Sequence, residues 1–139
     1  MKIIVDTSVW SCALRHNADR KMLASLKKEI SELINESRIV VLGVILQEIL
    51  SGIKEPKKGS ELKNYFLPFD LEEAKREYYV QAAEFFNQCR KKGVCGSHID
   101  FYICAVASLN DWHIFTFDKD FEKYEQIIPL NLYVPRFFG

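Results

Sequence analysis

The residues of this chain that could do chemistry are acids, placed where an apolar core is expected. Asp6 and Asp118 each directly follow a strand-like apolar run, and Glu48 and Asp100 are each the one charged residue in an otherwise apolar helical stretch. Carboxylates that converge cannot all stay ionised without cations. A ligand set made only of oxygens favours Mg²⁺ or Mn²⁺, which can generate hydroxide and polarise a phosphodiester.

All four acids also have a purely structural interpretation, which for Asp118 is that of a loop or cap residue. Asp6 is a possible helix N-cap, and Asp100 is a possible first-turn acid that the helix dipole stabilises. Glu48 either shares a thin solvent-facing stripe with Gln47 or faces a polar cavity. Because an isolated buried carboxylate is costly, a charge kept on the apolar helix of Asp100 indicates a partner such as a cation or a hydrogen-bond network.

The fourth acid has a competitor close by in the sequence. Thr116 and Asp118 point to the same side of the chain at a predicted strand end, because residues two apart in a strand share a face. Asp120 is the expected plain N-cap of the helix that follows. It nevertheless competes with Asp118 for the role of fourth ligand.

The elements that must position these acids alternate along the chain. Apolar, β-branched runs predict strands at residues 2–5, 38–42, 65–69, 113–117 and 132–134. Apolar spacing and capping residues predict helices at 6–14, 19–34, 44–50, 60–65, 70–93, 97–110 and about 121–124, with a capping box at Asp70 and Glu73 and a charged loop at 54–59. This alternation indicates an α/β fold with a mainly parallel sheet, whose ligands bind beyond the carboxyl ends of the strands.

Length and composition limit what such a fold can be. The 139 residues are expected to form a single domain, 1–139, since 48% hydrophobic and 27% charged residues is ordinary globular composition. Nineteen basic residues balance nineteen acidic ones, so nucleic-acid contact would need local patches or bound cations. With no signal peptide and no apolar stretch of the roughly 20 residues that span a bilayer, we predict a cytoplasmic protein without membrane contact. The four cysteines lack a C-x-x-C pair and are interpreted as small buried residues.

Four segments taken together resemble the PIN domain, and most of all the VapC toxins of type II toxin–antitoxin systems. They are IIVDTSVW at 3–10, LQEILSG at 46–52, DFYICAVA at 100–107 and FTFDKDF at 115–121. Each motif alone is weak, but four of them in order across the whole chain are fairly specific. The resemblance implies a three-layer α/β/α sandwich with a mainly parallel central sheet of four to five strands.

The resemblance also implies an activity and partners. VapC toxins are Mg²⁺- or Mn²⁺-dependent endoribonucleases that cleave RNA, are held inactive by a cognate VapB-like antitoxin and are often homodimers. The family's catalytic, metal-binding acids and its supporting hydroxyls match this chain in order, the acids at Asp6, Glu48, Asp100 and Asp118 and the hydroxyls at Thr116 and Ser8. One departure is Gly43, where many members carry Ser or Thr just before the helix that bears Glu48. The change weakens a helix cap and leaves the carboxylates intact.

Local basic clusters are the candidates for contact with RNA. One cluster lies around residue 58 and the other around residue 91, and their members are Lys54, Lys57, Lys58 and Lys63, and Arg90, Lys91 and Lys92. Contacts to phosphate carry affinity and little sequence information. Ordinary solvated charge is the alternative interpretation of both clusters.

Other acid-bearing α/β proteins fit the pattern less well. A haloacid-dehalogenase-type phosphatase requires D-x-D after the first strand, and position 8 is Ser8. A response-regulator receiver expects neighbouring acids near the first strand and a late Lys, whereas Glu48 and Asp100 fall on predicted helices. No P-loop motif is present. The remaining alternative is a catalytically inactive PIN-like RNA-binding or adaptor domain, against which the intact acids argue.

Overall fold

A parallel five-stranded sheet forms the centre of the fold. The computed structural model describes residues 1–14 and 19–137, and its strands are β1 Ile3–Val5, β2 Ile39–Leu42, β3 Leu71–Glu72, β4 His113–Phe115 and β5 Asn131–Leu132. Their order is β3-β2-β1-β4-β5, and each neighbouring pair is parallel. The predicted α/β class with a parallel sheet of four to five strands is confirmed.

Helices flank this sheet and bury its central strands. They are α1 Thr7–Ala13, α2 Arg20–Asn35, α3 Gly43–Ser51, α4 Pro56–Phe66, α5 Arg76–Lys91, α6 His98–Asn110 and α7 Asp120–Glu125. All three residues of β1 are fully buried, and α6 buries residues 101–107 without a break. Fully burying one such large apolar side chain contributes about 1.5–3 kcal/mol, so β1 and α6 are held firmly in place. In the described ranges, no helix is long and apolar enough to cross a membrane.

The segment before β3 differs from the sequence prediction. Helix α4 begins at Pro56 and runs to Phe66, so most of the predicted 54–59 loop is helical and the predicted strand at 65–69 does not form. Proline suits the first turn of a helix because the N–H it lacks would have no partner there. The same residue that indicated a loop in the sequence therefore starts a helix.

The start of α5 also differs from the prediction. Leu71 and Glu72 pair with the edge of β2, so the predicted capping box at Asp70 and Glu73 does not form. Helix α5 begins instead at Arg76. Strand pairing with an open sheet edge outweighs a local helix-start signal at this position.

The cysteines divide between core and surface. Cys89 and Cys104 are buried, as predicted, and Cys12 is partly buried. Cys95 is exposed, so its interpretation as a small core residue is wrong. All four carry free thiols.

The carboxyl ends of β1 and β4 lie side by side. The backbone N–H of Asp6 donates to the carbonyl of Phe115 at 2.9 Å, which extends the pairing of these strands by one step. β4 ends at Phe115 rather than at the predicted residue 117, so residues 116–118 leave the sheet as a loop. This loop and the start of α1 are therefore neighbours at one edge of the sheet.

Candidate active site

Asp6 follows β1 and is almost completely buried, with 7% of its surface exposed. Its Oδ2 accepts hydrogen bonds from the hydroxyls of Ser8, at 2.9 Å, and Thr116, at 2.8 Å. The backbone of Asp6 occupies the N-cap position of α1, but its carboxylate makes no capping hydrogen bond. The side chain is thus held by two hydroxyl groups rather than used to cap the helix.

The same hydroxyls fix the loop after β4. Each has one proton, which goes to Asp6, so each oxygen is left to accept. Ser8 Oγ accepts from the backbone N–H of Phe117, and Thr116 Oγ1 accepts from that of Asp118, both at 3.0 Å. The three predicted residues Asp6, Ser8 and Thr116 therefore form one network that sets where Asp118 lies.

Asp118 and Asp120 take different roles in the structure. Oδ1 of Asp118 accepts from the backbone N–H of Asp120 at 2.9 Å, so Asp118 caps the first turn of α7. Asp120 is the first residue of α7, and its side chain lies 3.5 Å from Lys123 and is 50% exposed. The prediction that Asp120 is the N-cap is wrong, because Lys119 holds the N-cap position and Asp120 is already the first residue of the helix.

Asp100 lies in the first turn of α6, next to the other two aspartates. Ser97, the first residue of the predicted helix at 97–110, is its N-cap, and the Ser97 Oγ accepts from the backbone N–H of Asp100 at 3.0 Å. Oδ2 of Asp100 accepts from the Tyr124 hydroxyl at 2.7 Å. Burial raises the pKa of Asp100 above its ordinary value, and the hydrogen bond from Tyr124 and the nearby Ser97 side chain partly oppose that rise. The negative charges of Asp118 and Asp6 also raise this pKa, so the three carboxylates are close enough to repel one another.

Glu48 is the most exposed of the four predicted acids. It shares a solvent-facing stripe of α3 with Gln47, and its Oε1 accepts from the Thr7 hydroxyl at 3.0 Å. Glu48 and Ile99 both line a pocket of about 290 Å³. Because Ile99 directly precedes Asp100 and Thr7 directly follows Asp6, Glu48 faces the same edge as those aspartates. The first residue of α3, Gly43, has open space around it, so its lack of a side chain disturbs no contact here.

We call the group of four predicted acids the acidic edge; its members are Asp6, Glu48, Asp100 and Asp118. Each carboxylate has one oxygen that accepts hydrogen bonds, and within the described residues its other oxygen accepts none. No Lys or Arg in residues 1–14 and 19–137 forms an ion pair with any of them. These four free carboxylate oxygens, with hydroxyl groups behind them, fit a hard divalent cation. They are neighbours rather than a closed cage, since no three acidic, His or Cys side chains of the described ranges converge on one point.

One basic cluster lies near the acidic edge. Helices α5 and α6 run antiparallel, because Phe86 stacks on His98 at 4.9 Å while Tyr78, earlier in α5, bonds Asn110 at the far end of α6. Arg90, Lys91 and Lys92, exposed at the end of α5, are therefore at the end of α6 that carries Asp100. The other cluster lies on α4 and the loop before it, where Lys54, Lys57 and Lys63 are exposed and Lys58 is partly buried.

Sequence reasoning missed two residues of this site. Thr7 lies in the predicted helix at 6–14 without a predicted role, and it donates to Glu48. Tyr124 lies in the predicted short helix near 121–124, and its buried hydroxyl donates to Asp100. A buried tyrosine usually needs a partner for its hydroxyl, but the sequence carries no signal that identifies the partner.

The chain matches the model of a known protein family over most of its length. The family model of the PIN domain matches residues 3–127. Among proteins with curated descriptions, none matches the sequence significantly.

Solved structures of toxin–antitoxin complexes are similar in fold. VapBC2 from Rickettsia felis, bound to a DNA fragment from its promoter, has a TM-score of 0.77 and 15% identity, covering 96% of this chain and 98% of that chain. FitAcB from Neisseria gonorrhoeae has a TM-score of 0.75 and 18% identity, covering 95% and 96%. VapBC from Salmonella typhimurium bound to DNA has a TM-score of 0.76 and 13% identity, covering 96% and 97%. At such identities the likeness establishes the fold alone.

Proposed function

This chain belongs to the PIN domain family, and from that premise we propose that it is a divalent-metal-dependent endoribonuclease, the toxin of a VapBC-like pair in the cytoplasm. PIN domains are in general nucleases; the metal dependence, the RNA substrate and the toxin role are the proposal. The observation that carries it is the acidic edge, where four carboxylates each keep one free oxygen and have no cationic side chain of the described residues beside them. Four acids at the surface for solubility alone would not each need a donor that holds one carboxylate oxygen and leaves the other free.

We assign metal binding and catalysis to Asp6, Glu48, Asp100 and Asp118. Asp118 is preferred to Asp120 as the fourth acid because it continues the network from Thr116, whereas Asp120 lies beside Lys123. Ser8 and Thr116 are supporting residues that hold Asp6. Mg²⁺ or Mn²⁺ is the cofactor that this set of oxygen donors fits.

Each acid would have a role in the reaction that follows from its hydrogen bonds and its exposure. When bound, the cation would act as a Lewis acid and lower the pKa of a water molecule. Ser8 and Thr116 hold Oδ2 of Asp6, so the free Oδ1 has a fixed direction. Glu48 is the acid most open to solvent, so its Oε2 is the oxygen best placed to take a proton from water.

RNA would reach this edge along the surface beside α6. Arg90, Lys91 and Lys92 lie at the Asp100 end of α5, where they can hold phosphates on either side of the cleaved bond. The cluster of Lys54, Lys57, Lys58 and Lys63 lies on α4 and the loop before it and would contact other nucleotides of the same RNA. Both are contacts to phosphate, so neither selects a sequence.

A VapB-like antitoxin and a second copy of this chain are the proposed protein partners. An acidic edge without its own cation attracts one from another chain, and an Arg fork suits paired carboxylates. We expect an antitoxin Arg or Lys to lie beside Asp6 and Asp100 and to compete with the metal. Inhibition by purified antitoxin should then weaken as Mg²⁺ rises from micromolar to tens of millimolar; inhibition that stays constant contradicts simple competition. Exposed Tyr79 and Val80 on α5 support self-association, which light scattering can measure.

The direct test is a cleavage assay on single-stranded RNA with and without Mn²⁺ or Mg²⁺. Replacing Asp100 by Asn keeps its shape and removes one charge, so we expect cleavage to fall at least about 10²-fold. Asp70→Asn is the matched control, since Asp70 is exposed and lies outside the acidic edge. Cleavage that survives EDTA, or an Asp100→Asn protein as active as the control, contradicts the metal-dependent reaction. RNA that is bound and never cleaved supports the inactive binding domain instead.

A further inference from the structure

One contact at the acidic edge joins α7 to α6 and involves a residue that is not among the predicted site residues. The Tyr124 hydroxyl donates to Oδ2 of Asp100 at 2.7 Å, a short bond typical of a hydroxyl and a carboxylate. We infer that Tyr124 is a positioning residue that occupies Oδ2 of Asp100 and leaves Oδ1 as the one oxygen that can face the metal. The inference rests on the proposed function of the acidic edge and deepens it.

Tyr124 is held rigidly enough for this role. The residue has no exposed surface, and its ring packs against Phe101 at 4.8 Å and Phe121 at 5.3 Å. A tyrosine side chain has few rotatable bonds, so a ring fixed in this way fixes its hydroxyl too. Asp100 therefore receives its hydrogen bond from a hydroxyl oxygen whose position is fixed by the packed ring.

Gly96 is the residue that makes this approach possible. A Cβ at position 96 would lie 2.1 Å from the Tyr124 hydroxyl oxygen and 2.7 Å from the adjoining ring carbon. Its φ is not positive, since Gly93 is the one positive-φ glycine of the described residues. Glycine is thus required at 96 for close approach and not for backbone conformation. The next residue, Ser97, accepts from the backbone N–H of Asp100, so the same short loop also caps the helix that carries this carboxylate.

Helix α7 connects this contact to the other acids. Its first turn is capped by Asp118 and its second turn carries Tyr124. A short helix fixed at Asp118 therefore sets the hydroxyl that orients Asp100. The two aspartates are placed relative to each other by the same six residues, Asp120–Glu125.

A carboxylate with one oxygen held is a one-oxygen ligand of fixed direction. Without the hydroxyl it can rotate about its last torsion angle, so part of the metal affinity is lost to that freedom. Partners that orient a metal ligand in this way are typically worth about 10–100-fold in metal affinity or activity. Tyr124→Phe removes the hydroxyl and keeps the ring, so it isolates this effect from packing.

The experiment measures Mn²⁺ binding by calorimetry on the full chain without RNA, together with the melting temperature and with cleavage at saturating Mn²⁺. Tyr133→Phe is the matched control, because Tyr133 also donates a hydroxyl to a carboxylate, Oε1 of Glu29 at 3.1 Å, outside the acidic edge. We expect Tyr124→Phe to raise the Mn²⁺ dissociation constant about 10-fold or more. Tyr133→Phe should lower the melting temperature by a similar amount and bind Mn²⁺ like wild type.

Gly96→Ala provides an independent test through the neighbouring side chain. It should displace the Tyr124 ring and weaken Mn²⁺ binding, and adding Tyr124→Phe to it should then weaken binding little further. Wild-type Mn²⁺ affinity in Tyr124→Phe, with a lowered melting temperature, overturns the positioning role and leaves the metal site intact. A wild-type chain that binds no Mn²⁺ overturns the proposed metal site and this inference with it.

Discussion

Two regions of the described residues withdraw carboxylates from solvent, and they differ in whether a cationic side chain lies beside the carboxylate. At the acidic edge, Asp6 and Asp100 are held by hydroxyl groups. On α2, Glu29 has no exposed surface, and Nε of Arg136 lies 3.6 Å from its Oε2. Arg136 also donates its backbone N–H to Glu29, and its guanidinium donates twice to Glu36, at 2.8 Å and 3.1 Å. We call Glu29, Glu36 and Arg136 the Arg136 cluster.

The contrast shows that burial alone does not distinguish a functional carboxylate from a structural one. Glu29 is more buried than Asp6 or Asp100, yet its cation is part of the fold. The acidic edge has donors that orient its carboxylates and, in the described residues, no cation that neutralises them. A fold that leaves such charge uncompensated bears a strain that a metal ion or a partner's cation can relieve.

The largest expected effect breaks the Arg136 cluster. Glu29→Ala removes the acceptor of the Tyr133 hydroxyl and of the Arg136 backbone N–H, and a donor left without its partner typically costs about 1–3 kcal/mol when it is withdrawn from water. The Arg136 guanidinium is 38% exposed and keeps Glu36, so it adds little to this cost, and we expect a loss of about 2–3 kcal/mol of unfolding free energy. Urea denaturation measures it. Glu32→Ala on the same helix is the control and should stay within about 0.5 kcal/mol of wild type. Equal losses in the two variants would mean that the cluster contributes nothing.

A smaller effect of opposite sign is expected at the acidic edge. In EDTA, Asp100→Asn removes one of several charges that repel, so the variant should be more stable than wild type by about 0.5–2 kcal/mol. That is a rise of a few degrees in melting temperature for a domain of this size. Mn²⁺ should then stabilise wild type by mass action and the variant much less.

If Asp100 were only a first-turn acid, its charge would interact favourably with the helix dipole, and Asp100→Asn would be less stable than wild type. Asp70→Asn serves again as the control away from the edge. An Asp100→Asn protein that melts below wild type in EDTA, with Mn²⁺ shifting both proteins equally, would remove the distinction between the two regions.

The sequence predicted the acidic edge better than it predicted the Arg136 cluster. Asp6 and Asp100 stand out because strand ends and apolar helices make a charge conspicuous. Glu29 lies among the many charges of α2, and its partner Arg136 is 107 residues away, so no local pattern links them. The same limit applies to Tyr124, which looks like an ordinary core aromatic, and to β3, where pairing with β2 decided the structure.

The smallest expected effect is a change with pH in the difference in melting temperature between a variant and wild type. The two variants to compare are Asp100→Asn and Glu36→Gln. Burial raises the folded-state pKa of Asp100. The ionised carboxylate therefore destabilises the fold as pH rises through that pKa, and this penalty is absent below the unfolded-state pKa. The hydrogen bond from Arg136 lowers the folded-state pKa of Glu36. The stabilisation by the ionised Glu36 is therefore present above the unfolded-state pKa and is lost as pH falls through the folded-state pKa.

At pH 7 in EDTA, Asp100→Asn should therefore melt above wild type and Glu36→Gln below it. Both differences should shrink as the buffer is acidified toward about pH 3, because Asp100 is then largely protonated in both states and Glu36 is largely protonated in the unfolded chain. The gap for Glu36→Gln should close at a lower pH than the gap for Asp100→Asn, since the folded-state pKa of Glu36 is lowered. Calorimetric melts across that range measure both gaps. If the gap for Asp100→Asn widens on acidification, its carboxylate carries no charge penalty at neutral pH, and the acidic edge is then balanced like the Arg136 cluster.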